Sequence, residues 1–97
     1  MPTHQSYARS SMHYVYILKS ARDGNLYVGS TNDLRRRLAE HQEGKSFATS
    51  PRRPFKLVYY DASAVEGDAR HRESNLKLRG RARAQLISRL EASLRQA

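Results

Sequence analysis

The sequence contains no cysteine, which excludes a disulfide scaffold, a thiolate zinc site and a cysteine nucleophile. It also lacks any apolar run near the roughly 18 residues that a membrane span requires. Residues 1–12 (MPTHQSYARSSM) have neither a hydrophobic period nor the apolar centre of a secretory signal. They are expected to form a disordered tail, and the protein is expected to be cytoplasmic. There is no glycine-rich phosphate cradle of the P-loop kind, no zinc-finger spacing and no internal repeat. Acidic residues are scarce: nine Asp and Glu face 18 Lys and Arg, a formal charge of +9. That balance favours a polyanionic partner. Fourteen of the 18 are arginine, a bias that genome composition also produces, so charge alone does not decide the partner.

The 97 residues and their 38% apolar share suffice for one small folded core. Residues 13–97 are expected to form a single domain. His13 to Leu18 and Leu26 to Gly29 read as strands rich in aromatic and β-branched residues, and Asp23-Gly24 between them predicts an antiparallel hairpin. Thr31, Asn32 and Asp33 are alternative caps for a helix reaching about Gln42, with Gly44 placed to end it. At about 100° per residue, Leu34, Leu38 and His41 share a face, Arg37 flanks it, and Arg35 and Arg36 point away. Gly44 to Pro54 reads as a basic loop, and Phe55 to Tyr60 as a third strand. Ser63-Ala-Val-Glu66 matches a capping box and predicts a helix to about Leu78, with Val65, Ala69 and Leu76 on one stripe and Glu73 beside it. A final helix is expected from about Ala82 to Leu94. The order ββαβαα implies an α+β fold in which helices flank a small three-stranded antiparallel or mixed sheet.

A tight hairpin brings Tyr16 and Tyr27 near each other. A phenol is a poor base at its usual pKa of about 10, and nearby cationic charge favours the phenolate. Arg37, on the helix that must pack against the hairpin, could supply such charge. Glu73, a lone carboxylate beside an apolar stripe, suits a hard divalent cation that keeps its waters.

These residues resemble the GIY-YIG nuclease domain, in particular its small single-domain bacterial members. Tyr14-Val15-Tyr16 stands for the first motif and Tyr27-Val28-Gly29 for the second. The helix from Asp33 to His41, the segment Arg53 to Tyr60 and the segment Ala69 to Lys77 follow in the family's order. The resemblance implies that Tyr16 and Tyr27 lie in the active site, that Gly29 lets the backbone pass closely, that Arg37 binds the scissile phosphate and that His41 assists proton transfer. It further implies that Glu73 binds one Mg²⁺ or Mn²⁺, and that the reaction is metal-assisted hydrolysis of a phosphodiester, with DNA a better candidate than RNA. Structure- or lesion-directed cleavage in repair or recombination is the expected role, a protein partner is a possible source of targeting, and no membrane is involved. Arg35, Arg36, Lys45, Arg52, Arg53 and Lys77 are the expected backbone contacts. Three departures stand out: Tyr14 occupies the glycine position, no late asparagine follows Glu73, and Leu78-Arg79-Gly80 replaces an aromatic.

Each residue also has a plainer reading. The tyrosines could only pack the sheet, Arg37 could lie along the surface, and His41 could complement a helix dipole. Glu73 could pair with Arg70 or Lys77. The corresponding alternative is a non-catalytic nucleic-acid-binding module on the same fold. The nuclease reading requires that both phenols, Arg37 and Glu73 converge on one pocket wide enough for a phosphate.

Overall fold

A computed structural model describes residues 12–78 and 80–96. Residues 1–11 of the expected tail lie outside the described residues. Strand β1 (His13–Ser20) and strand β2 (Leu26–Thr31) form the expected hairpin, with Tyr16 opposite Gly29 and Leu18 opposite Tyr27. The Ser20 hydroxyl accepts hydrogen bonds from the Arg22 and Asp23 amides, and Gly24 takes a φ of 73°, which a side chain would resist. Strand β3 (Phe55–Ser63) pairs antiparallel with the other edge of β1, giving the order β2-β1-β3. Every pairing is antiparallel, so the mixed alternative falls away. The register shifts between Ile17 and Leu18, which face Tyr59 and Leu57 respectively. Val58 is the extra residue, which explains how it and Tyr59 both pack into one core cluster.

Central β1 is buried on both faces. Val15 and Ile17 meet Val28, Ala69, Leu76 and Leu86 on one side. Tyr16 and Leu18 meet Phe55, with Tyr27, Leu34, Leu38 and Leu57 around them, on the other. Helix α1 (Leu34–Glu43) covers this second face. Of its three possible caps Asp33 is used: its carboxylate accepts from the Arg36 amide, and Gly44 closes the helix with a φ of 81°. Helices α2 (Glu66–Lys77) and α3 (Arg81–Arg89) supply Ala69, Leu76 and Leu86 to the first face, and a short α4 (Glu91–Gln96) follows.

Three local expectations need correction. Ser63 does not cap a helix. It remains in β3 opposite His13, and Val65 is the cap residue, without a side-chain bond. Ladder pairing has taken the serine that the capping box needed, and Glu66 bonds forward to Arg70. Val65 is 57% exposed, so the α2 stripe begins at Ala69. The last helix is interrupted at Leu90, whose amide is shared between the Leu86 and Ile87 carbonyls, a tightened final turn.

Candidate active site

On the α1 face, strand alternation and the helix period converge. Tyr16 points toward α1, and its ring passes over Gly29: a Cβ at Gly29 would lie 2.5 Å from the Tyr16 hydroxyl. The absent side chain on β2 therefore makes room for the phenol of β1. That hydroxyl is 2.7 Å from His41 Nε2, and His41 Nδ1 is 2.8 Å from the Thr49 hydroxyl. All three residues are almost wholly buried. Tyr27 packs edge-on against His41 at 5.3 Å between ring centroids and lies 6.5 Å from Tyr16, but it is only partly buried.

Burial governs the protonation of this chain. It pushes the Tyr16 phenol up to about 12, reinforced by Tyr27 and Glu73 and opposed by the hydrogen-bonding and charge of Arg37. Burial, helped by Arg37 and opposed by Glu40, holds the His41 imidazolium below its usual range. A neutral imidazole that donates Nδ1–H to Thr49 leaves Nε2 to accept the Tyr16 O–H. Arg37 donates to Glu40 at 2.9 Å, which raises its own pKa further. This keeps the guanidinium at the edge of the buried cluster, about one third exposed.

Glu73 arrives from the other side of the sheet. It sits on α2, which packs against the Val15 and Ile17 face, and its Oε1 accepts from the Ser30 hydroxyl at 2.7 Å. Ser30 pairs with Val15, whereas its neighbour Gly29 pairs with Tyr16. The carboxylate and the Tyr16 phenol thus reach adjacent residues of edge strand β2 from opposite faces. The charge of Glu73 nonetheless contributes to the raised Tyr16 pKa. Burial pushes Glu73 upward, but hydrogen bonds from Lys77 and Ser30 outweigh it and hold the carboxyl low, hence ionised.

Two recesses flank the edge of β2, and none of Tyr16, Tyr27, Arg37 and Glu73 lines either of them. One, of about 490 Å³, is lined by Tyr14, Asn32, Leu34, Arg35, Leu38 and Tyr60 together with Asp33. The other, of about 250 Å³, lies on the α2 side with Ser30, Thr31 and Ala69 among its walls. Asn32 lines both. Alternation along β2 sends Gly29 and Ser30 to different faces.

No three His, Cys, Asp or Glu side chains are grouped closely enough to hold a metal ion among the described residues. A cation caged wholly by protein ligands therefore does not fit. The ionised Glu73 carboxylate beside the Ser30 hydroxyl does fit a hard divalent ion that keeps most of its waters and takes further oxygens from a phosphate. Lys77, 2.8 Å from Glu73 Oε2, would have to yield that oxygen.

The expected backbone contacts divide. Arg35 is exposed and makes no ion pair among the described residues, while Arg36 pairs loosely with Glu40 and Lys45 with Glu43. Arg52 is spent inside the fold: it bonds Asp23 at 2.7 Å and lies over the Phe55 ring, tying the loop to the hairpin turn. Arg53 donates to the Ser50 carbonyl and packs where a Gly44 side chain would stand. Both therefore hold the loop that carries Thr49. Lys77 serves Glu73. The sequence reading missed Thr49 and Ser30; for Ser30 the signal was available in strand alternation, but for Thr49, in an irregular loop, there was none.

Two tyrosine-bearing strands lie under a helix that carries Arg37 and His41, with a carboxylate at the sheet edge, in a small α+β domain. Residues 12–86 match the family model of the GIY-YIG catalytic domain, and the chain belongs to that family, which is generally one of nuclease domains. It is 46% identical over 66 residues to a UPF0213 protein of Bacillus pumilus, covering 67% of this chain and 66% of the relative. It is 44% identical over 69 residues to a UPF0213 protein of Streptococcus pneumoniae, covering 70% of this chain and 69% of that one. The chain thus spans about two thirds of the length of these curated relatives. The solution NMR structure of a UPF0213 protein from Bacillus halodurans matches with a TM-score of 0.51 at 40% identity, over 79% of this chain and 83% of that one. The three-stranded antiparallel sheet with flanking helices is the shared fold.

Proposed function

We propose that this protein is a metal-dependent endonuclease that hydrolyses phosphodiester bonds in DNA at sites chosen by strand structure or damage, in repair or recombination. The observation that carries the reading is the buried Tyr16–His41–Thr49 chain beside Arg37, with the ionised Glu73 reaching the neighbouring residue of β2. Arg37 binds the scissile phosphate, and its planar fork suits two phosphoryl oxygens. As water attacks phosphorus and the ester oxygen departs, the charge gathering on the phosphoryl oxygens faces this guanidinium. Tyr16 is sealed from solvent, so it acts as a positioning residue that locks His41 and Gly29 in place. Tyr27 is the partly exposed phenol of the pair, and in this reading it orients the attacking water. A bound Mg²⁺ or Mn²⁺, held by Glu73, would polarise a phosphoryl oxygen. Arginines that meet the phosphate backbone position the protein without reading sequence, so this reading favours choice by shape, with a partner protein directing it to its site.

Two observations favour the second reading, a binding module without turnover: Lys77 already neutralises Glu73, and Glu73 reaches β2 from the face opposite the phenols, so the convergence on one pocket that the nuclease reading requires is not met. Branched, flapped, single-stranded and RNA substrates incubated with Mg²⁺ or Mn²⁺ separate the two. Cleavage lost in both Glu73→Gln and Arg37→Ala, with thermal stability and DNA binding retained, supports the nuclease. Variants that cut as fast as the parent reject this site. Salt-sensitive binding with no product from any substrate supports the module.

A further inference from the structure

Beside the N-terminal half of α1, the Tyr14 and Tyr60 end of the sheet face that carries Tyr16 borders a recess. Alternation along β1 puts Tyr14 on the same face as Tyr16, and Tyr60 is the Cα partner of Tyr16 across β3. The Tyr14 and Tyr60 rings are 6.1 Å apart and tilted by 58°, so neither ring covers the face of the other. Tyr60 is 52% exposed, an unusual state for a large ring on a sheet. Together they wall the recess of about 490 Å³, with Leu34 and Leu38 as apolar lining and Asn32 and Arg35 as polar members. Asp33 also borders it, but its Oδ1 is taken by the Arg36 amide. Leu38 also packs in the cluster that contains Tyr16, so the recess adjoins the site already described.

We propose that this recess binds an unpaired nucleobase of the strand whose phosphate lies at Arg37. The inference rests on the nuclease reading and narrows its substrate to DNA with an unpaired or extruded nucleotide beside the cleaved bond. Exposed aromatic faces on a sheet are stacking platforms for bases, which every base can use. An asparagine amide can meet a base edge, and the exposed Arg35 guanidinium meets the adjoining phosphate. Bases inside a duplex are already stacked and cannot enter. The +9 charge of the chain matches the strand that would deliver the base.

The test is anisotropy of the full chain in EDTA against a duplex with a short unpaired flap and a fully paired duplex of equal phosphate count. Tyr60→Ala is expected to weaken flap binding about five- to a hundredfold, the worth of one base stacked on an aromatic ring, and to leave the paired duplex unaffected. Tyr60→Phe should bind both as the parent does. A 2-aminopurine in the flap should be quenched by the parent and not by Tyr60→Ala. Equal weakening on both duplexes, or unchanged flap affinity in Tyr60→Ala, overturns the proposal, and a thermal melt of each variant confirms that folding is intact. Parallel incubation with Mg²⁺ reads turnover separately. A parent that never cuts yet shows the Tyr60-dependent preference loses the nuclease reading and keeps the base site. A parent that cuts without the preference loses the base site alone.

Discussion

Replacing Tyr16 by phenylalanine perturbs the group whose titration the fold alters most plainly. The Tyr16 phenol stands at about 12 instead of 10.0, chiefly because its hydroxyl is buried. The folded value is the higher one, so the native state keeps a proton that the unfolded chain releases near pH 10. The contribution to stability is therefore complete below pH 10 and is lost as pH rises from 10 to about 12. At about 1.4 kcal/mol per pH unit that interval is worth on the order of 3 kcal/mol, a large share of a small domain's stability. Tyr16→Phe abolishes this loss but leaves His41 Nε2 without its partner, which costs about 1–3 kcal/mol at every pH. The signature is thus in the slope: the variant is less stable than the parent near neutrality, and the gap narrows or closes above pH 10. Denaturant unfolding across the alkaline range measures it, and the difference in phenolate absorbance between parent and variant isolates Tyr16. A difference ionisation centred near pH 10, with parallel stability curves, would refute the claim that this hydroxyl is sealed in the fold.

Gly29→Ala tests the close approach from the opposite side. Its Cβ would fall 2.5 Å from a hydroxyl that cannot swing away without leaving His41. A loss of about 1–3 kcal/mol, as for an overpacked core, is expected in unfolding experiments, and a variant as stable as the parent would mean that the ring relaxes freely. The neutral His41 gives an acid-side prediction. With its folded pKa lowered, its contribution is complete above the unfolded value of 6.5 and falls as pH drops through the folded one. Thr49→Val should shift the acid-side pH dependence of unfolding stability and Thr49→Ser should restore it, because the Thr49 hydroxyl is the partner of His41 Nδ1; identical stability profiles in all three proteins would count against that bond holding His41 neutral.

The hairpin, helix α1 and its closing glycine, and the grouping of Leu34, Leu38, His41 and Arg37 were legible because alternation and helical period act locally. Ser63 shows where local pattern fails: one residue could end a strand or cap a helix, and pairing with His13 decided it. Arg52 and Arg53 looked like a free basic loop, yet Asp23 and the Ser50 carbonyl, distant or irregular in sequence, engage them. The position of Glu73 was half legible. Its stripe on α2 was visible, but the strand face it would meet depended on Ser30 rather than Gly29, a matter of register that no helix wheel contains. Thr49 left no trace in the sequence, since only the folded loop brings its hydroxyl to His41.

The most direct test of the site is the anomalous scattering of Mn²⁺ in crystals grown with a short phosphorothioate DNA that resists cleavage. The proposed arrangement predicts a manganese peak against the Glu73 carboxylate and a phosphate that touches both that ion and Arg37. Manganese bound away from Glu73, or a phosphate that touches Arg37 with Glu73 still closed by Lys77, would contradict it.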